Sequence, residues 1–411
     1  MIALQIKVIA KMKTILLVWN YNRPDWIQPF ISLKDNFRFV FLSKFYKEEE
    51  IATAKALNIP IIYWTDFGSA GAILDKVKPD VILFMSVINF TDIILNYTAQ
   101  KRKIRTVILQ HGLFFDQKTY KENVRSLRER NALVKGRVFV RKRLMQWKIR
   151  YIISAVFQGF GFYSTIRLLQ YLYDKSRTTD IEALERNRFI EREPNFLLVF
   201  TLHNAAVYHE RDGLPYNKMK AIGNPFIDAH FQEHTNRKLP FENFILLIDT
   251  ILYLENSPKK GFGFSKSDAV DVYIKILQYA KVRGKHLVIK LHPFAYNQRP
   301  ILDDPSVTYI KGEFEATELI KKADSIISFP STLILPALYY KPVLILNFMK
   351  NDFIELLKET KIARVVELND FSPDIEDPFH NNFVQQWVEE KFLLKADGRS
   401  VERLKESLQA I

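Results

Sequence analysis

The sequence predicts an α/β protein made of two Rossmann-like domains, each with a parallel sheet, and three observations carry that prediction. The first is the stretch 285–348. Residues 286–291 are an apolar run long enough for a buried strand, 317–324 show helical spacing, and 325–328 (SIIS) form a second strand. Residues 333–340 then fit a helix and 342–346 a third strand. Strand, helix, strand, helix, strand at this spacing implies parallel strands joined by crossover helices. The second observation is the same alternation in the first hundred or so residues. The third is length, because 411 residues suit two domains of roughly 200 each.

In chain order, 14–19 (TILLVW) is the first strand, and the loop 20–24 after it carries no Gly-rich fingerprint. Strands at 37–42 and 60–64 bracket a helix at 48–57. Residues 72–77 are helical and lead to a strand within 79–84; 92–101 are helical and lead to 106–110, a buried strand that ends in His111-Gly112. The alternation is then interrupted. Residues 121–150 hold eleven Lys/Arg and two Glu, and 151–166 carry no charge. It resumes at 195–201, with His203 just beyond, and reaches Gly223-Asn224-Pro225 after a short strand at 219–222. The second half opens with 244–249 (FILLID), followed by a loop containing Lys259-Lys260-Gly261 and a helix over 268–280. The tail, 383–408, has helical spacing.

Composition limits the function. No cysteine is present, which excludes disulfides, thiolate catalysis and Cys-based zinc sites. A net charge of +14 points to an anionic partner, and its concentration beside an uncharged aromatic segment is how an interfacial membrane contact is built. A buried helix pair with a solvated basic face accounts for 121–173 equally well. Sixteen uncharged residues fall short of the ~20 expected for a spanning helix. The N-terminus is interrupted by Lys7, Lys11 and Lys13 and reads as an extension, not a signal peptide. No nucleic-acid recognition motif supports that use of the charge. There is no Asp-x-Asp, Walker A loop, Gly-x-Ser-x-Gly or His-Glu-x-x-His, so neither a metal ion nor another cofactor is expected.

In parallel sheets ligands bind beyond the carboxyl ends of the strands. Lys290 and His292 lie at one such end. Ser331 and Thr332 lie at another and are expected to open a helix, where amides and hydroxyls favour a phosphate. Taken singly, Ser331 is also an ordinary N-cap and His292-Pro293 an ordinary strand terminator. Gly261-Phe262-Gly263 and Gly159-Phe160-Gly161 lack the third Gly of a dinucleotide fingerprint.

Lys290-Leu291-His292-Pro293, then a strand, Ser331-Thr332, an apolar helix and Lys341-Pro342-Val343-Leu344 together resemble the nucleotide-binding half of GT-B glycosyltransferases. The nearest subgroup comprises bacterial capsule and teichoic-acid polymer enzymes: CDP-glycerol glycerophosphotransferases, polysialyltransferases and Kdo transferases. The resemblance implies two Rossmann-like domains facing a central cleft. Residues 1–225 would be the acceptor domain, with an insertion at 121–173, and 226–411 the donor domain, with its last helix crossing back. It implies that Lys290, His292, Ser331 and Thr332 hold the phosphate of a nucleotide-activated donor and that His111 is the general base. Gly112, His203, Asn224 and Lys260 are candidates for lining the cleft, with His209 a weaker one. One departure is clear: Pro336 stands where many GT-B members have a ribose-binding Glu. The expected reaction is metal-independent sugar transfer to a hydroxyl of a bacterial surface polysaccharide, at the inner face of the cell membrane. Glycerophosphate transfer, a UDP-sugar 2-epimerase-like activity and a non-catalytic polysaccharide- or lipid-binding protein are the alternatives.

Overall fold

A computed structural model of the chain describes residues 12–19, 24–43, 58–112, 139–178, 180–188, 190–233, 238–250, 252–253, 264–292, 295–296, 302–348, 352–379 and 383–411. The expected helix at 48–57, Lys260 with its loop, and residues 121–138 of the basic segment lie outside these residues. The chain divides into two compact units, one of residues 1–228 together with 391–411 and the other of residues 229–390.

The first unit holds a seven-stranded parallel sheet in the order β3-β2-β1-β4-β5-β6-β7. Its strands are β1 (Lys13–Val18), β2 (Phe37–Ser43), β3 (Ile61–Tyr63), β4 (Val81–Phe84), β5 (Arg105–Leu109), β6 (Phe196–Val199) and β7 (Met219–Ala221). Strands buried on both faces read as unbroken apolar runs, and β1 shows why. Ile15 and Leu17, with Trp19 beyond the strand, enter one core cluster, while Leu16 and Val18 enter the other. Helices α1 (Pro24–Ser32), α2 (Ala70–Val77) and α3 (Phe90–Lys101) belong to this half.

Between β5 and β6 the inserted segment forms α4 (Phe139–Ala155) and α5 (Phe162–Arg177), followed by α6 (Asp180–Arg186). The uncharged stretch is therefore two helices, parted where Gly159 (φ +88°) and Gly161 (φ +77°) take conformations that a side chain disfavours. Tyr97 holds the break by donating its hydroxyl to the Gly159 carbonyl (2.7 Å). Tyr151, Ala155, Phe160, Leu168 and Tyr171 are buried against the sheet's helices. Among the described residues no helix is long and apolar enough to cross a membrane.

After β6 come α7 (Leu202–Asp212) and β7. Gly223 (φ +85°) turns the chain where a Cβ would meet Ser400 Oγ at 2.4 Å and the Leu393 carbonyl at 2.8 Å. Asp228 then accepts from the amides of Ser400 (2.9 Å) and Val401 (3.0 Å), which start α13 (Ser400–Ala410). Burial pushes the Asp228 carboxyl up, against the pull of those two amides. Leu404 and Leu408 of α13 join the first unit's core, and Lys13 donates to the Gln409 carbonyl (2.7 Å). The tail is not one helix. Leu394 and Gly398, both at positive φ, separate α13 from α12 (Val384–Val388) and the π turn after it.

The second unit has a six-stranded parallel sheet in the order β10-β9-β8-β11-β12-β13. The strands are β8 (Phe244–Ile248), β9 (His286–Lys290), β10 (Val307–Ile310), β11 (Ser325–Ser328), β12 (Val343–Asn347) and β13 (Arg364–Glu367). The crossovers are α8 (Lys266–Val282), α9 (Ala316–Lys322), α10 (Ile334–Tyr340) and α11 (Asp352–Glu359). A capping box starts α8: the Ser265 hydroxyl accepts from the Asp268 amide (3.1 Å), and the Asp268 carboxylate accepts from the Ser265 amide (3.3 Å).

Candidate functional site

In both sheets chain order runs outward in two directions from the first strand, so a topological switch point falls between β1 and β4 and another between β8 and β11. Crevices at such points are where doubly wound sheets take ligands. In the second unit the register aligns Ile248 of β8 with Lys290 of β9 on one side and Ser328 of β11 on the other. The residues just beyond these ends are Asp249, His292 and Ser331, so of the four expected donor-site positions Lys290 ends β9 while His292 and Ser331 follow adjacent strand ends. Thr332 is next to Ser331 and exposed.

Asp249 is a titratable group that strand spacing alone does not single out. It is buried, accepts a hydrogen bond from the Tyr273 hydroxyl, and is also held by the backbone N–H groups of Thr250 and His292. Burial nevertheless pushes its carboxyl up to about 7, because those bonds and the nearby Lys290 charge only partly offset lost hydration. Lys290 is shifted down by the same cause, with Asp249 opposing the shift. Each charge favours the other, yet for both partners burial is the larger effect. Lys290 is thus a half-buried cation facing a carboxyl that takes up a proton near neutrality. The signal for Asp249 was present as an acid ending an otherwise apolar strand, FILLID, beside the strand that ends in Lys290.

This carboxyl ties stability to pH. Between the ordinary carboxylate value of 3.8 and about 7, the folded chain keeps a proton that the unfolded chain releases. Its contribution to stability is therefore complete below the lower value and lost as pH rises through the upper one. Asp249→Asn is expected to flatten this dependence, so that its melting temperature changes less than the parent's between about pH 5 and about pH 8. A variant with the parent's pH profile would place the titration elsewhere.

Ser331 and Thr332 do not open the helix as expected. Pro330 fixes the backbone ahead of them, a turn closes with the Ile334 amide on the Ser331 carbonyl (3.2 Å), and α10 begins only at Ile334. Ser331 Oγ accepts from the Leu333 amide (3.3 Å), which leaves its hydroxyl proton to donate. α10 has only seven residues and starts beyond them, so Ser331 and Thr332 offer side-chain hydroxyls rather than a helix N-terminus. Pro336 is buried within α10.

In the first unit His111 follows β5, with its ring edge-on to Trp26 (centroids 4.0 Å) and to Trp19 (6.0 Å). Trp19 also stacks on Phe226 (5.8 Å) and donates its indole N–H to the Trp26 carbonyl (3.2 Å). Gly112 (φ +82°) supplies the turn, and its carbonyl accepts from buried Gln110 (3.2 Å), whose Oε1 accepts from the Phe200 amide (2.8 Å). The imidazole is therefore aimed by aromatic walls on a fixed turn. His203, His209 and Asn224 each have partners of their own. His203, in the first turn of α7, accepts at Nδ1 from Lys391 (3.3 Å). His209 bonds the Leu214 carbonyl (2.7 Å) and stacks on Tyr216 (4.5 Å). Asn224 is buried and accepts from the Phe226 amide (3.1 Å). His209 and Asn224 are thus held in place by local backbone bonds. Among the described residues no group of three or more His, Asp or Glu side chains is placed to hold a metal ion.

No family model and no curated protein matches the sequence. Over 97% of its length the chain is similar in structure to the glycotransferase of kitacinnamycin, at 13% identity, 95% of that chain and a TM-score of 0.49. It is similar over the same share to the UDP-GlcNAc 2-epimerase of Neisseria meningitidis, at 15% identity, 100% of that chain and a TM-score of 0.49. MurG of Acinetobacter baumannii matches at 10% identity, 97% of this chain and 100% of that one, with a TM-score of 0.44. Likeness at this level concerns fold alone, and the weight rests on strand order. The chain is α/β, with two doubly wound parallel sheets and a C-terminal helix returned to the first unit. That is the connectivity of the GT-B fold class.

Proposed function

We propose that the protein transfers a sugar from a nucleotide-activated donor to a hydroxyl, without a metal ion. The observation that carries this reading is the alignment of Lys290-Leu291-His292, Asp249 and Ser331 beyond three adjacent strand ends at a switch point. His292 and the Ser331 hydroxyl donate to the donor's phosphate, Lys290 adds charge, and Thr332 flanks them. Stabilising a departing nucleoside diphosphate by such fixed donors is electrostatic catalysis of the usual kind. His111 takes the proton from the acceptor hydroxyl. Incubation with a panel of nucleotide sugars and an acceptor extract tests this through release of free nucleotide. Release that requires acceptor supports transfer, and interconversion of the nucleotide sugar itself would instead indicate epimerisation.

The acceptor proposed is a bacterial surface polysaccharide or its lipid-linked precursor, met at an anionic membrane face. Support comes from the break between α4 and α5, where Phe157, Phe162 and Tyr163 are 86%, 78% and 66% exposed. Arg167 lies over the Tyr163 ring (4.7 Å to its centroid) and Arg177 over that of Tyr173 (4.1 Å). Aromatic side chains beside cations suit the headgroup layer. Phe157→Ser with Phe162→Ser is expected to weaken binding to anionic vesicles by roughly tenfold or more, since burying one Phe is worth ~1.5–3 kcal/mol. Added salt weakens the parent's binding as well. A protein that ignores such vesicles at low salt meets its acceptor in solution.

A further inference from the structure

A cavity of about 390 Å³ lies in the first unit between the inserted helices and the carboxyl ends of β3 and β4. Trp64 follows β3, Phe90 starts α3, Trp147 and Lys148 come from α4, and Leu172 and Lys175 from α5. It is separate from the His111 site. Trp64, Phe90 and Leu172 belong to or pack on the core cluster that takes Leu16 and Val18, whereas the walls of His111 include Trp19 of the opposite cluster.

Its chemistry is divided. Three aromatic rings and a leucine present an apolar wall, and two lysines stand at the same cavity. Trp64 is only 1% exposed, and its indole N–H has no hydrogen-bond partner among the described residues. The hydroxyl of Tyr151, whose ring is edge-on to Trp64 at 5.7 Å, is likewise without a partner. Trp147 by contrast is locked, donating to the Phe67 carbonyl (2.9 Å), and Lys175 donates to the Ile88 carbonyl (3.0 Å).

We infer that this cavity binds an amphiphilic anion: a short alkyl, prenyl or aryl body against Trp64, Phe90, Trp147 and Leu172, with one phosphate or carboxylate group on Lys148 and Lys175. The volume falls within the range of small-molecule sites, and a predominantly apolar lining suits such a body better than a free sugar. The site does not depend on the transferase reading. Such an anion could come from a lipid or from a soluble metabolite, and both share this chemistry.

The test is titration of the full-length protein with hexyl phosphate, inorganic phosphate and hexanol, followed by tryptophan fluorescence and calorimetry. Hexyl phosphate is expected to bind at least about tenfold more tightly than either fragment. Lys148→Gln with Lys175→Gln is expected to weaken it by roughly tenfold or more, the factor for losing a charge-assisted hydrogen bond. Leu172→Trp, which fills the cavity, abolishes it, and the lysine variant reports on the site even where that packing change lowers stability. A longer prenyl phosphate in vesicles that outcompetes hexyl phosphate points to a lipid source, and equal competition by soluble aryl phosphates points to a metabolite. Equal binding of hexyl phosphate and inorganic phosphate, or full affinity in the lysine variant, would overturn the assignment.

Discussion

His111→Ala is expected to lower turnover by about 10²-fold or more while donor-nucleotide affinity stays nearly unchanged, because general-base help typically contributes roughly 10²–10⁴-fold. A sugar hydroxyl is a poor nucleophile until its proton leaves, and an imidazole is suited to that step near neutral pH. The geometry adds a reason for a large effect. Trp26 and Trp19 hold the ring edge-on, and Gly112 with Gln110 fixes the turn beneath it, so the imidazole is presented in one orientation. Alanine also leaves a gap between two tryptophans, which makes His111→Phe a useful companion: it refills the space without restoring a base. Low turnover in both variants assigns the loss to proton transfer, whereas rescue by Phe assigns it to packing. A matching fall in donor affinity would make His111 a donor ligand.

The second large effect is expected at the other unit. Ser331→Ala and His292→Ala should each weaken nucleotide binding by ~1–3 kcal/mol, the range for hydrogen bonds to a charged group. Ser331→Ala also removes the acceptor for the Leu333 amide (3.3 Å), so part of its cost falls on stability. Ser331→Thr, which keeps the hydroxyl, separates the two: it should retain binding if the hydroxyl touches phosphate. His292→Ala leaves intact the backbone N–H that reaches Asp249, so its loss reports on the imidazole alone. Unchanged affinity in both alanine variants would remove the donor phosphate from this place.

Much of the architecture was legible because central parallel strands, buried on both faces, read mostly as apolar runs. ILLV, VILF, FLLV and FILLI announce β1, β4, β6 and β8 directly. The edge strands of the second sheet were not readable, unlike β3 and β7 at the edges of the first. Val307–Ile310 and Arg364–Glu367 are four residues long and mostly half-buried, so neither forms an apolar run that stands out from a loop. The helix α1 was hidden by two prolines, Pro24 at its first turn and Pro29 inside it. In the tail, helical spacing continues across Leu394 and Gly398, but their positive φ values break the helix.

Spacing alone puts Lys290 at the end of β9 and His292 and Ser331 just beyond strand ends. What the sequence withheld was pairing across strands. Asp249 and Lys290 are far apart in sequence and become neighbours only through the β8–β9 register, which joins Ile248 to Lys290. The start of α10 was also hidden, because a turn and a helix share the same spacing over residues 331–334.

The central claim is that the carboxyl ends of β9, β8 and β11 form a nucleotide site, and a thermal-shift panel of CMP, CDP, UDP and GDP on the full chain tests it most directly. A ligand that binds only the folded state stabilises it by RT ln(1 + [L]/Kd), about 2.7 kcal/mol at a hundredfold excess over Kd. The account predicts that one base, in its diphosphate or monophosphate form, raises the melting temperature at millimolar concentration, and that the rise shrinks in Ser331→Ala and His292→Ala. No shift with any of the four, or an undiminished shift in both variants, would contradict it.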